Sequence, residues 1–211
     1  MGVKPKLEIE LVPKTCHYSN VRSMVTTAEW DKIRKLSYAS ANNKCEICGS
    51  DGLKQGYKHR VECHEVWDYD DENKIQTLIK LVSLCVVCHQ VKHIGRAIAI
   101  GKQTPCFIQL AKVNKWTQKQ IDEHILTAFE LHKQRSKHQW ELDISMLAKA
   151  PYNIKLKPMK ERVFEVKKFK KKPKKKTTGK TPKKKTVHPK AKIAAVLKPK
   201  SKGTKKLPPK K

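Results

Sequence analysis

Two cysteine pairs carry the clearest chemistry of this chain. Cys45-Glu46-Ile47-Cys48 is followed by Gly49, and Cys85-Val86-Val87-Cys88 is followed by His89. A C-x-x-C segment bends the backbone so that both sulfurs face one ion, and two such segments complete a tetrahedron. Cys45, Cys48, Cys85 and Cys88 therefore read as the ligands of a structural Zn²⁺. Between the pairs lie 36 residues, 49–84, where a compact ribbon needs only roughly 15–20. A second unit is expected in that gap. His64 falls within it, and His89 and His93 follow the second pair. Histidines four apart share one face of a helix. One imidazole from a strand and two from a helix could hold a single divalent cation and leave coordination positions open, as a catalytic metal requires. Cys16, Cys63 and Cys106 have no partner at ligand spacing and read as small buried residues.

With these residues in place the segment resembles the HNH endonuclease family in its zinc-knuckle form. The resemblance rests on Cys45-Glu46-Ile47-Cys48-Gly49, Glu62-Cys63-His64-Glu65-Val66, Leu81-Val82-Ser83-Leu84-Cys85-Val86-Val87-Cys88-His89 and His93, and covers about residues 45–96. It implies a ββα unit gripping a catalytic divalent metal, Mg²⁺ or another, and hydrolysis of DNA phosphodiesters. By position, His64 matches the strand ligand, and His89 and His93 match the helix ligands. Two residues depart from the family pattern. Glu65 stands where a water-activating His is usual, and Lys80 where an Asn is usual. A carboxylate can serve as general base, so Glu65 or His64 fills that role; Glu65 as ligand with His64 as base is the other arrangement. A register with Cys63 as ligand ranks lower, because a thiolate suits a hard cation poorly. Lys92 and Arg96 flank His93 and are candidates for phosphate contacts.

The elements that must position these groups follow from spacing. Leu7-Glu8-Ile9-Glu10-Leu11 alternates like a short edge strand. Thr26 and Glu29 form a capping box ahead of Trp30, Ile33 and Leu36, which predicts a helix ending by Asn42-Asn43. His59–Trp67 reads as a strand, with Glu62, His64 and Val66 on one face and Cys63, Glu65 and Trp67 on the other. Asp68 to Asn73 is an acidic turn, read as solvated and not as a second metal site. Ile75–Leu84 fits a strand or a helix. Cys85 to about Ile94 reads as a helix with Gly95 as its C-cap. Thr117 and Gln120 form another capping box, with Ile121, Ile125, Ala128, Phe129 and His132 on one helix face. That pattern extends through Trp140, Ile144 and Leu147 as bracing core. His124, His132 and His138 read as packing or surface residues. A short hairpin is expected over Ile154–Val166.

Charge sets the rest. The chain has 211 residues, 48 Lys+Arg and 19 Asp+Glu, a net charge of +29. Residues 167–211 hold 21 Lys and no acidic residue. With so few apolar residues they are expected to be disordered. The Lys runs, including Lys171, Lys172, Lys174, Lys175, Lys176, Lys183, Lys184 and Lys185, would neutralise phosphates without reading bases. No apolar run approaches a membrane span, no apolar signal core follows Met1, and an odd Cys count opposes a disulfide scaffold. The expectation is an α+β protein: an arm and helix over 1–44, a zinc-stabilised ββα-metal core over 45–98, helical bracing over 99–166 and a basic tail over 167–211. It would act on DNA as a metal-dependent endonuclease, in the cytoplasm with the nucleoid, or in the nucleus of a eukaryotic host. The competing reading is a non-enzymatic, zinc-containing DNA-compacting protein whose nuclease site has lapsed. An RNA-binding zinc protein is weaker, since aromatic residues for base stacking are few.

Overall fold

Local rules account for most of the elements in the computed structural model, which describes residues 5–156. Helix α1 is a single turn, Val21–Met24. Helix α2, Thr27–Ser40, starts on the predicted box: the Thr26 hydroxyl accepts from the Glu29 N–H, and the Glu29 carboxylate accepts from the Thr26 N–H. It ends before Asn42 and Asn43, both left-handed at φ 50° and 56°, a conformation Asn tolerates better than most residues.

Strand β1, Glu62–Asp70, and strand β2, Ile75–Leu84, form an antiparallel hairpin with His64 opposite Val82 and a bulge between Val66 and Trp67. Ile75–Leu84 is thus a strand, and it lies at the centre of its sheet. Strand β3, Glu141–Asp143, pairs parallel to the start of β2, so the order is β1-β2-β3 and β1 is an edge. The acidic segment, expected as a turn from Asp68 to Asn73, is divided: Asp68–Asp70 end β1, and the hairpin turn is 71–74. Asp70 accepts from the N–H groups of Glu72 and Asn73, and Asp71 pairs with Arg135.

Helices α3 (Val86–Lys92), α4 (Ile94–Ala99), α5 (Thr104–Asn114) and α6 (Gln118–Arg135) follow. Two expectations change here. The helix after the second knuckle breaks at His93, and Gly95 lies inside α4. Helix α5 falls in the expected bracing region 99–166, where no separate helix was delimited; Pro105 opens it and its buried residues are Cys106, Phe107 and Leu110. Leu7–Leu11, expected as an edge strand, has no strand assigned. Three helices bond its backbone: Asn114 bonds the Leu7 N–H and carbonyl, His124 accepts from the Ile9 N–H, and the Lys92 carbonyl accepts from the Glu10 N–H.

Leu78 and Leu81 of β2 meet Val21, Ile33, Leu142, Ile144, Leu147 and Ile154 in one buried cluster, with Cys63, Trp67 and Trp30 packed against it. A further buried set, including Val91, Ile94, Leu110, Ile121 and Ile125, is carried by α3 to α6. The described residues fall in one compact unit, so the arm, the knuckle segment and the bracing helices are parts of one body. No described helix is long and apolar enough to cross a membrane. The predicted hairpin begins at Ile154, which is buried with no strand assigned over 154–156. The rest of it, and every expectation placed on the basic tail, lies outside the described residues.

Candidate metal centre

The first cysteine pair sits in a turn stitched to the end of β2. The Glu46 N–H donates to the Ser83 carbonyl at 2.9 Å, and the Ser83 N–H donates to the Glu46 carboxylate at 2.6 Å. Gly49 closes the knuckle with its N–H on the Cys45 carbonyl, at φ +71°, where a side chain would be strained. Cys85 is the N-cap of α3, which carries Cys88 one turn on. The four Sγ atoms lie within 4.8 Å of one another, and Cys48 and Cys85 are 3.6 Å apart. These four cysteines could hold a metal ion such as zinc.

Two amides point at the sulfurs: Gln55 Nε2 lies 3.2 Å from Cys85 Sγ, and Gln109 Nε2 lies 3.1 Å from Cys88 Sγ. The thiols titrate as a group. S–H donors from Cys48, Cys85 and Cys88 hold Cys45 below the ordinary thiol range. Hydrogen bonding to Cys45 and Cys48 keeps the protons on Cys85 and Cys88 and pushes these thiols up. A divalent cation at the centre would displace these protons and let all four ligate as thiolates.

The three histidines also converge. One ring nitrogen from each of His64, His89 and His93 falls within 4.8 Å of the others, and the rings meet edge to face with centroids 4.8–5.3 Å apart. His64 comes from β1 and is 3 % exposed; His89 comes from α3; His93 is the joint between α3 and α4. Burial lowers the pKa of His64 and takes His93 down to about 3, with neighbouring imidazoles adding to the effect at His93. These two rings are therefore neutral at pH 7 and present lone pairs, the form a metal ligand needs.

Two carboxylates hold the outer sides of this cluster, and sequence reasoning singled out neither. Glu10 reaches in from the N-terminal arm: Oε2 lies 2.8 Å from His64 Nε2, and Oε1 lies 2.5 Å from Lys92 Nζ. Burial alone would raise the Glu10 pKa, but the bond from His64 and the charge of Lys92 hold it at about 2. Glu62 Oε2 lies 2.5 Å from His89 Nδ1, and Oε1 lies 3.0 Å from His59 Nε2. Glu62 stands two residues before His64, on the same strand face, and that spacing is a signal that could have marked it. Glu10 had no local signal, since its partners lie 54 and 82 residues away.

Other expected site residues are placed differently. Lys92 is 5 % exposed and pairs with Glu10 inside the protein, so its ammonium is not free at the surface for phosphate. Arg96 is exposed. Glu65 does not join the histidines. Its carboxylate accepts from the Val21 N–H at 2.9 Å, at the start of α1. Burial pushes its pKa up to about 7 despite the backbone donors of Val21 and Arg22. His124 is a packing residue tied to the arm, as expected. Cys16, Cys63 and Cys106 lie outside both ligand groups; Cys16 and Cys106 are buried and Cys63 partly so.

An open groove of about 680 Å³ runs along the free edge of β1. His64, His89 and His93 line it with Glu65, Trp30, Trp67 and Phe129, and Lys14, Arg22 and Arg96 add positive charge. Because β1 is an edge, residues of both its faces reach this groove. No family model, curated protein or solved structure matches the chain.

Proposed function

We propose that the protein is a metal-dependent endonuclease that hydrolyses DNA phosphodiester bonds. The observation that carries this reading is the convergence of His64, His89 and His93 on one point in the wall of an open, basic groove. The four-cysteine site beside it suits structural Zn²⁺ and ties the loop before β1 to the start of α3. The donor set at the histidines fits a divalent cation, since three imidazole ligands leave positions open for solvent and substrate. It favours Zn²⁺, Co²⁺ or Ni²⁺ over Mg²⁺, which prefers oxygen ligands. A cation held there supplies charge to polarise a phosphate and stabilise the leaving oxygen.

The residues of the chain do the rest. Lys14, Arg22 and Arg96 hold the phosphate backbone along the groove, by charge and without base readout. Glu65 stands apart from the histidines but lines the same groove, and it is the carboxylate among the groove's lining residues that could take the proton of an attacking water. The Lys runs from Lys171 to Lys185 add non-specific affinity for the duplex and raise its concentration near the site.

The test is cleavage of supercoiled plasmid by the full chain with Mg²⁺, Mn²⁺, Co²⁺, Ni²⁺ or Zn²⁺. It is run beside His89→Ala, Glu65→Gln and a chain ending at Val166. Cleavage abolished in His89→Ala, reduced at least 100-fold in Glu65→Gln and kept without the tail at low salt supports the reading. Glu65→Gln keeps an acceptor for the Val21 N–H, so its loss would report proton transfer and not unfolding. Salt-sensitive binding by the tail, with no cleavage under any metal, would instead indicate a DNA-compacting protein.

A further inference from the structure

The groups that grip the histidines from behind are as specific as the histidines themselves. His64 gives Nε2 to Glu10, which leaves Nδ1 as its lone pair; His89 gives Nδ1 to Glu62, which leaves Nε2. Opposite nitrogens of two rings are thus occupied by carboxylates, and the nitrogens that remain are fixed by elimination. A metal-bound histidine that donates its second N–H to a carboxylate is held in one tautomer and one orientation. Glu10 is itself held: Lys92 Nζ neutralises its other oxygen, and the Glu10 N–H bonds the Lys92 carbonyl at 3.0 Å. The arm that carries it is anchored at Leu7 by Asn114 and at Ile9 by His124. Buried Lys92 and half-buried Glu10 thus form an ion pair that fixes a carboxylate beside His64.

We propose that Glu10 and Glu62 are positioning residues that set the tautomers of His64 and His89, so that His64 ligates through Nδ1 and His89 through Nε2. The N-terminal arm is then part of the metal site, although its sequence carries no ligand. The inference rests on the reading of His64, His89 and His93 as a metal site.

The test uses the full chain with its cysteine site loaded with zinc, in two measurements. The first is ¹⁵N imidazole spectroscopy without further metal, which reads the protonated nitrogen of each ring. The expected result is Nε2–H on His64 and Nδ1–H on His89. Mixed or reversed tautomers in the wild type would overturn the inference. The second is calorimetric titration with Ni²⁺, which suits imidazole ligands, of the wild type, Glu62→Leu, Glu10→Leu and Glu10→Leu combined with Lys92→Met, none of which leaves an acceptor for the ring N–H. The combined variant removes both ends of the ion pair, so that no lone charge is left to unfold the protein. Affinity should fall roughly 10–100-fold in each variant, with mixed tautomers at the ring that lost its carboxylate; Glu62→Asp should recover part of the loss. Wild-type affinity in the variants would overturn the inference and leave the metal site standing. A wild type that takes up no Ni²⁺ would overturn both.

Discussion

At the scale of single residues, environment separates seven cysteines into two chemical kinds. Cys45, Cys48, Cys85 and Cys88 sit within ligand distance of one another. Cys16, Cys63 and Cys106 lie outside that group, and burial raises Cys16 and Cys106 to about 11 and Cys63 to about 12. The thiolate is the nucleophile. A raised pKa therefore lowers the reactive fraction at pH 7.5, and labelling should climb only as the pH approaches these values. In the metal-loaded protein, iodoacetamide at pH 7.5 should modify Cys16 and Cys106 far more slowly than a free thiol. A chelator should open Cys45, Cys48, Cys85 and Cys88 to rapid labelling. Peptide mass spectrometry reads both, and rapid labelling of the four without a chelator would count against a bound metal.

At the scale of elements, two positions show how local rules support the site. Thr26 satisfies the first turn of α2, the helix whose Ile33 reaches the core under β2. Thr26→Ala should cost about 1 kcal/mol in unfolding free energy, and Thr26→Ser almost nothing. Gly52 belongs to the turn after the first knuckle, and its N–H bonds the Arg60 carbonyl at 2.6 Å. A Cβ there would collide with the backbone carbonyl of His59, which cannot swing away as a side-chain tip can. Gly52→Ala should therefore cost roughly 1–3 kcal/mol, although a Gly→Ala change at an unhindered site is commonly stabilising. Chemical denaturation of the metal-loaded chain measures both effects.

At the scale of the whole molecule, stability should depend on the cysteine-held metal. The four cysteines join the segment before β1 to the start of α3, across the hairpin that carries His64. Zinc binding in small cysteine and histidine sites is worth about 10–16 kcal/mol, comparable to the entire stability of an ordinary domain at about 5–15 kcal/mol. Removing the metal with a strong chelator should therefore abolish the cooperative thermal transition, and stoichiometric Zn²⁺ should restore it. Far- and near-ultraviolet circular dichroism would follow the change. A melting temperature insensitive to the chelator would refute a structural metal.

Sequence alone determined the features whose causes lie within a few residues. The capping boxes at Thr26 and Thr117 needed only their own first turns, and the cysteine pairs needed only C-x-x-C spacing. The faces of β1 followed from alternation, which put His64 opposite the side of Cys63 and Trp67. The tertiary structure alone decided what depends on distant partners. It chose strand over helix for Ile75–Leu84, because that run pairs with β1 along its length and with β3 at its start, over Ile75–Thr77. It broke the helix at His93, turned Lys92 inward to Glu10, and gave Glu65 to the start of α1. A charged side chain has no preferred destination in a linear sequence. Its place is set by which opposite charge or unpaired N–H the fold brings within about 3 Å once water is excluded. Glu10 illustrates the limit: an ordinary residue of a short arm, made part of the candidate site by a histidine 54 positions and a lysine 82 positions along the chain.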